Sequence, residues 1–202
     1  MERVCAYIDG FNLYKGMKDA FGRKYLWLDL ESMCRSVLLP TQELIGVKYF
    51  TARVRRPADT QQRQSLYIDA LAAATSVQTI FGRLQMNTVE CLRCGHERIK
   101  PEEKKTDVAI ATHMVADAVG GTIDVALVVS GDSDMVPPVE MISGLPKARV
   151  VLAFPPRRKS DELKRYAGAA FTLSEATLRQ NQLPPTVKTV GGVLLTRPAS
   201  WK

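Results

Sequence analysis

The chain has 202 residues, 46% of them apolar, with 13 glycines and 11 prolines, enough to bury one substantial core as a single domain and a poor match for disorder. Its 28 Lys and Arg against 21 Asp and Glu give a formal net charge of +7, which favours polyanionic partners without choosing between nucleic acid and a membrane surface. No run reaches the roughly 18 apolar residues of a spanning helix, the opening M-E-R-V-C-A-Y-I-D lacks a basic stretch followed by an apolar signal core, and four unevenly placed cysteines make no disulfide framework; the expectation is a cytoplasmic protein with reduced thiols and no membrane partner.

In chain order, Val4 to Ile8 is a short apolar run ending at Asp9 and Gly10, and Phe11 to Phe21 carries apolar residues at helical spacing. Asp29 suits the cap of a helix over Leu30 to Leu38, closed by Pro40, before Leu44 to Val54 returns to β-branched and aromatic residues. Asp59 to Ala74 is rich in helix formers, Val77 to Met86 resembles one further strand, and Asn87 to Glu103 reads as an inserted loop or hairpin. Thr106 precedes a helix that Gly120 and Gly121 end, ahead of the wholly apolar strand Ile123 to Val129. Pro137 fits the first turn of the next helix. Arg149 to Phe154 is another strand, a basic loop and short helix follow, and Ala169 to Leu173 is expected as the last strand. Strands alternating with helices, several apolar throughout, predict an α/β fold with a mainly parallel sheet covered on both faces. The remaining tail, with its Val-Leu-Leu and Trp201, is expected to dock on the body or on a neighbour.

In such a sheet, ligands bind beyond the carboxyl ends of the strands, near the point where strand order reverses. Asp9 ends the first strand, and Asp132 and Asp134 follow Ile123 to Val129 in L-V-V-S-G-D-S-D; Asp107 opens a helix. Taken singly, each has an ordinary explanation. Asp107 complements the positive end of its helix, Asp132 or Asp134 caps the helix near Pro137, and Asp9-Gly10 makes a tight turn. Taken together they are harder to dismiss, because clustered carboxylates raise each other's pKa unless a cation neutralises them. Oxygen ligands without nearby His or Cys favour Mg²⁺ or Mn²⁺ over Zn²⁺.

The segments Y-I-D-G-F-N-L-Y (Tyr7 to Tyr14), K-K-T-D-V-A-I-A (Lys104 to Ala111) and V-V-S-G-D-S-D-M-V-P (Val128 to Pro137) resemble the three signature segments of the NYN domain family, within the PIN-like nuclease superfamily. A-A-F-T-L-S-E-A-T-L-R-Q-N-Q-L-P from Ala169 is similar to the closing segment of bacterial members. The resemblance implies a Rossmann-like, PIN-type α/β/α sandwich over residues 1–180, with a C-x-x-C loop inserted at about 87–103 and a tail at 181–202. It also implies Mg²⁺- or Mn²⁺-dependent cleavage of RNA. Asp9 then matches the first metal-binding aspartate, Asp107 the mid-chain acid, and Asp132 and Asp134 the terminal pair. Asn12 matches a supporting polar residue, while Ser130 and Ser133 serve either as hydrogen-bond donors to carboxylates or substrate, or as plain turn formers. Many members carry Asp where this chain has His113; six positions on from Asp107, it lies well off that face of a helix and is expected to be neutral to activity.

C-L-R-C-G-H, Cys91 to His96, offers three zinc ligands but no second pair. The basic stretches Arg53 to Arg56 and Arg157 to Lys159 follow expected strand ends, so Arg157 and Arg158 stand either where a phosphate backbone wants them or on an ordinary solvated surface. Tyr14, Tyr49 and Phe50 have the faces to stack on bases, although Tyr49 and Phe50 suit the core better. The leading expectation is a metal-dependent endoribonuclease. A haloacid dehalogenase type of phosphatase needs a second acid two residues after the first, where this chain has Phe11. The alternative outside enzymology is an RNA-binding or regulatory module that keeps the fold and cleaves little.

Overall fold

A computed structural model describes residues 1–55, 57–90 and 94–201. Strand β1 (Glu2–Asp9) leads into helices α1 (Gly10–Phe21) and α2 (Leu30–Ser36), followed by β2 (Gln42–Thr51), α3 (Ala58–Ala74) and β3 (Gln78–Phe81). A hairpin of β4 (Arg83–Glu90) and β5 (Glu97–Lys104) precedes α4 (Thr106–Val119), β6 (Val125–Val129), a 3-10 turn at Ser133–Met135 and α5 (Val136–Ser143). Then come β7 (Arg149–Phe154), α6 (Asp161–Lys164), β8 (Ala169–Thr172), α7 (Glu175–Gln180) and a small hairpin of β9 (Thr186–Lys188) and β10 (Leu194–Thr196). Several helix starts follow from a side-chain cap: Asp29 accepts from the Ser32 amide, Ser160 from Leu163 and Ser174 from Thr177, each worth about 1 kcal/mol.

Six strands form one sheet in the order β3-β2-β1-β6-β7-β8, with every neighbouring pair parallel. Alternation along β1 sends Val4, Ala6 and Ile8 into a core shared with α1, α2 and α3, and Cys5 and Tyr7 into a second core with α4 and α5. Both faces of the sheet are thus covered, and the architecture is an α/β/α sandwich of the PIN-like kind. Tyr7 reaches through the second core to donate to Asp117 at 2.5 Å, and Lys48 donates to the same carboxylate oxygen. Among the described residues, no helix is long and apolar enough to cross a membrane.

Three local readings need correction. Val77 to Met86 is two strands in two different sheets. The amide of Gly82 donates to the Thr51 carbonyl at 2.8 Å, ending the main-sheet pairing, and Arg83 onward pairs antiparallel with β5. Helix α2 stops at Ser36, where the Val37 and Leu38 amides donate only three residues back, to the Cys34 and Arg35 carbonyls at 3.3 Å. Ala169–Thr172 is not the last strand, because the tail forms β9 and β10, with Gly192 at φ +84° supplying the turn. That tail is stitched to the body: the Trp27 indole donates to the Pro184 carbonyl at 2.8 Å, and Asn181 bonds both Ser32 and Ser36 of α2. Trp201 packs edge-on against Trp27 and Tyr67, contacts worth about 0.5–1.5 kcal/mol each beyond their burial.

Candidate active site at the carboxyl edge of the sheet

Strands β1 and β6 are neighbours, but the chain leaves β1 towards β2 and β6 towards β7. Connections diverging from adjacent parallel strands open a crevice beyond their carboxyl ends. Asp9 stands at the end of β1 and the segment Ser130 to Asp134 follows β6. Asp9 is buried and caps α1, its Oδ1 accepting from the Asn12 amide at 2.9 Å. Its Oδ2 accepts from the fully buried Ser130 hydroxyl at 3.0 Å.

The same Ser130 oxygen accepts from the Asp132 amide at 3.1 Å, and Asn12 Oδ1 accepts from the Gly131 amide at 3.0 Å. Asp132 in turn caps the 3-10 turn, accepting from the Asp134 amide at 3.1 Å. One hydrogen-bonded chain therefore ties the end of β1, the first turn of α1 and the loop after β6. Gly131 is required in that loop by close approach: a Cβ there would lie 1.5 Å from the Arg158 carbonyl oxygen.

Burial is the main cause that raises the pKa of Asp9 to about 6; the charges of Asp107 and Asp132 add to it, while the bonds from Asn12 and Ser130 oppose it. Asp107, in the first turn of α4, keeps contact with solvent. Partial removal from water, and then the charges of Asp132 and Asp134, push its pKa up against the pull of Lys15. The four aspartates are thus within electrostatic reach at one edge. Among the described residues, however, no three His, Cys, Asp or Glu side chains are grouped so that they could hold a metal ion. Alongside this convergence, Asp107 stands in the first turn of its helix as expected, whereas Asp9 caps α1 where a tight turn was expected, and Asp132 caps the 3-10 turn and not α5, whose start has no side-chain cap.

The other expected site residues are distributed differently. Ser133 is exposed. Arg157 is exposed, at the left-handed φ of +59°, in the loop after β7. Arg158 lies beside Gly131 through its backbone but commits its guanidinium to Asp19 of α1. Arg53 stacks over Phe81, 4.4 Å from the ring centroid, and Arg56 lies outside the described residues. His113 packs edge-on against Phe50 at 5.6 Å. Cys94 and His96 are exposed, while Cys91, and with it the zinc-ligand expectation, lies outside the described residues. Lys15, whose charge reaches Asp107, belongs to no motif of the sequence, and its one signal is a position three residues after Asn12, on the same face of α1.

A family model for the NYN domain matches residues 3–175. The chain belongs to the NYN domain family, a family of PIN-like nucleases. In sequence it is 27% identical to 6-hydroxy-3-succinoylpyridine 3-monooxygenase HspA of Pseudomonas putida (strain DSM 28022 / S16), across 98% of this chain and 75% of that protein. In structure it is similar to a protein of unknown function from Vibrio parahaemolyticus RIMD 2210633, with a TM-score of 0.56 and 17% identity over 86% of this chain and 94% of the other. That likeness concerns the fold.

Proposed function

We propose that the protein is a divalent-metal-dependent endoribonuclease whose site comprises Asp9, Asp107, Asp132 and Asp134. The observation that carries the reading is the buried Asp9 with its pKa raised to about 6 beside two further carboxylates, at the strand-order switch point of a nuclease-family fold. Like charges gathered at a partly dry edge favour a cation, and an all-oxygen donor set suits Mg²⁺ or Mn²⁺. The fit is one of charge and donor type rather than of a preformed cage. A bound ion of this kind polarises phosphoryl oxygen and lowers the pKa of water.

The chain's own part is positional. Asp9, Asp107, Asp132 and Asp134 would hold the ion. Ser130 fixes the Asp9 carboxylate and the Asp132 amide with one hydroxyl, and Asn12 anchors the loop through Gly131. The net reaction is hydrolysis: a P–O bond to water forms, the P–O bond to the leaving nucleoside breaks, and the leaving oxygen takes up a proton. The test is incubation of labelled single-stranded and structured RNAs with Mn²⁺ or Mg²⁺, beside an Asp132→Asn Asp134→Asn variant. Loss of cleavage in the variant supports the reading. Equal cleavage by both proteins marks a contaminant and sinks it.

A second reading is favoured by the named relative, an oxygen-inserting enzyme whose name specifies a hydroxylated succinoylpyridine. On that reading this chain oxidises a small heteroaromatic acid with O₂ and a two-electron reductant. Oxygen uptake with 6-hydroxy-3-succinoylpyridine and reduced nicotinamide or flavin, in the absence of RNA cleavage, would select it over the first.

A further inference from the structure

Beside the acidic edge, a cavity of about 210 Å³ opens between α1, the carboxyl end of β2, and α3. It is smaller than the roughly 300–1,000 Å³ of pockets that enclose drug-sized ligands, so it suits one ring system with its substituent. Tyr14, Tyr67 and Trp201 line it together with Lys18, Arg23 and Arg63, and no described Asp or Glu does.

The rear wall is fixed. The Tyr67 hydroxyl donates to the Leu28 carbonyl at 2.7 Å, and Trp201 packs against both Trp27 and Tyr67 with ring centroids about 6 Å away. The mouth is open: Tyr14 is 36% exposed, with the Lys18 ammonium 5.6 Å from its ring centroid. Arg23 is exposed and has no ion-pair partner among the described residues. Phe11, Tyr14 and Lys18 recur along α1 at helical spacing and face this cavity.

We propose that the cavity is a base-binding subsite: it takes one nucleobase, stacked on Tyr14 at its mouth, with the attached phosphate held by Lys18 and Arg23. A simple anion would use the cations and leave the aromatic faces idle; a neutral apolar ligand would do the reverse. A nucleotide uses both. Gly10, which lines the cavity, directly follows Asp9, and β2 lies about 4.8 Å from β1. A base seated here therefore has the acidic edge beside it. The proposal's place in a cleavage reaction rests on the ribonuclease reading; the binding does not.

Of the two tryptophans of the chain, Trp201 lines the cavity and Trp27 packs behind it, so intrinsic fluorescence reports occupancy. The experiment titrates the full chain, with a chelator present, with AMP, with ribose 5-phosphate and with a short oligoadenylate. Wild type, Tyr14→Ala and Arg23→Ala are compared, with thermal melts as the folding control.

AMP and the oligoadenylate should shift the emission and ribose 5-phosphate should not, with Tyr14→Ala binding about tenfold more weakly at an unchanged Tm. A response to AMP identifies the free nucleotide as sufficient, whereas a response to the oligoadenylate alone identifies an RNA strand as the source. Equal responses to ribose 5-phosphate and AMP, unchanged affinity in Tyr14→Ala, or no response to either adenine ligand would overturn the subsite. Cleavage of the same oligoadenylate with Mn²⁺ separates the two ideas. Binding without cleavage keeps the subsite and counts against the ribonuclease reading; cleavage without a fluorescence response does the opposite.

Discussion

Replacing Asp9 with Asn should make the protein more stable at mildly alkaline pH while removing its activity. Burial and neighbouring charge raise the Asp9 pKa from an ordinary 3.8 to about 6. With each pH unit worth about 1.4 kcal/mol, keeping the group ionised costs the fold about 3 kcal/mol. Asn retains an acceptor for the Asn12 amide but takes the carboxylate acceptor away from the Ser130 hydroxyl, a loss of about 1.5 kcal/mol. The net gain is about 1–2 kcal/mol.

The sign follows from linkage. Well below pH 3.8, Asp9 is protonated in the folded and unfolded chains alike, so the charge penalty is absent. It develops as pH rises through 3.8 towards 6 and is complete above. Urea unfolding of both proteins with a chelator, near pH 4 and near pH 8, should show the advantage of the variant only at the higher pH. Added Mn²⁺ should then raise the wild-type midpoint and leave the variant nearly unmoved. A variant less stable than wild type near pH 8, or a difference that does not change with pH, refutes the account of Asp9 as a strained buried anion.

Cleavage of RNA at subsaturating Mn²⁺ should fall as pH drops below about 6, because a proton on Asp9 competes with the ion; a pH–rate profile flat through that range would contradict this. Asp117→Ala strands the Tyr7 hydroxyl and the Lys48 ammonium, both 2.5 Å from one carboxylate oxygen. It should cost about 2–4 kcal/mol in urea unfolding, with Asp117→Asn losing less. Gly131→Ala drives a methyl group into the Arg158 carbonyl and should lower stability by about 1–3 kcal/mol. Cleavage should fall with it, because the loop carrying Asp132 must move; a fully active variant of wild-type stability would show that the close approach is dispensable.

Much of this molecule is local in origin, and that part is legible in the chain. Apolar runs of strand length, helical periodicities and caps such as Asp29 depend on residues within a few positions of one another. The acids stand out for the same reason: Asp9 and the G-D-S-D segment each follow an apolar strand. What the local pattern does not carry is which strand pairs with which. The run from Val77 to Met86 has one composition throughout, yet hydrogen bonding divides it at Gly82 between two sheets. Trp201 is expected from the sequence to dock on the body or on a neighbour, but that it meets Tyr67 depends on the tail folding back onto α3. Sequence determined the alternation of strands and helices and the acids that end them, because backbone geometry and side-chain periodicity act over short range. Tertiary structure alone decided that β1 lies beside β6, how closely the four carboxylates approach, and that an aromatic cavity opens next to them, because each depends on contacts between segments far apart in the chain.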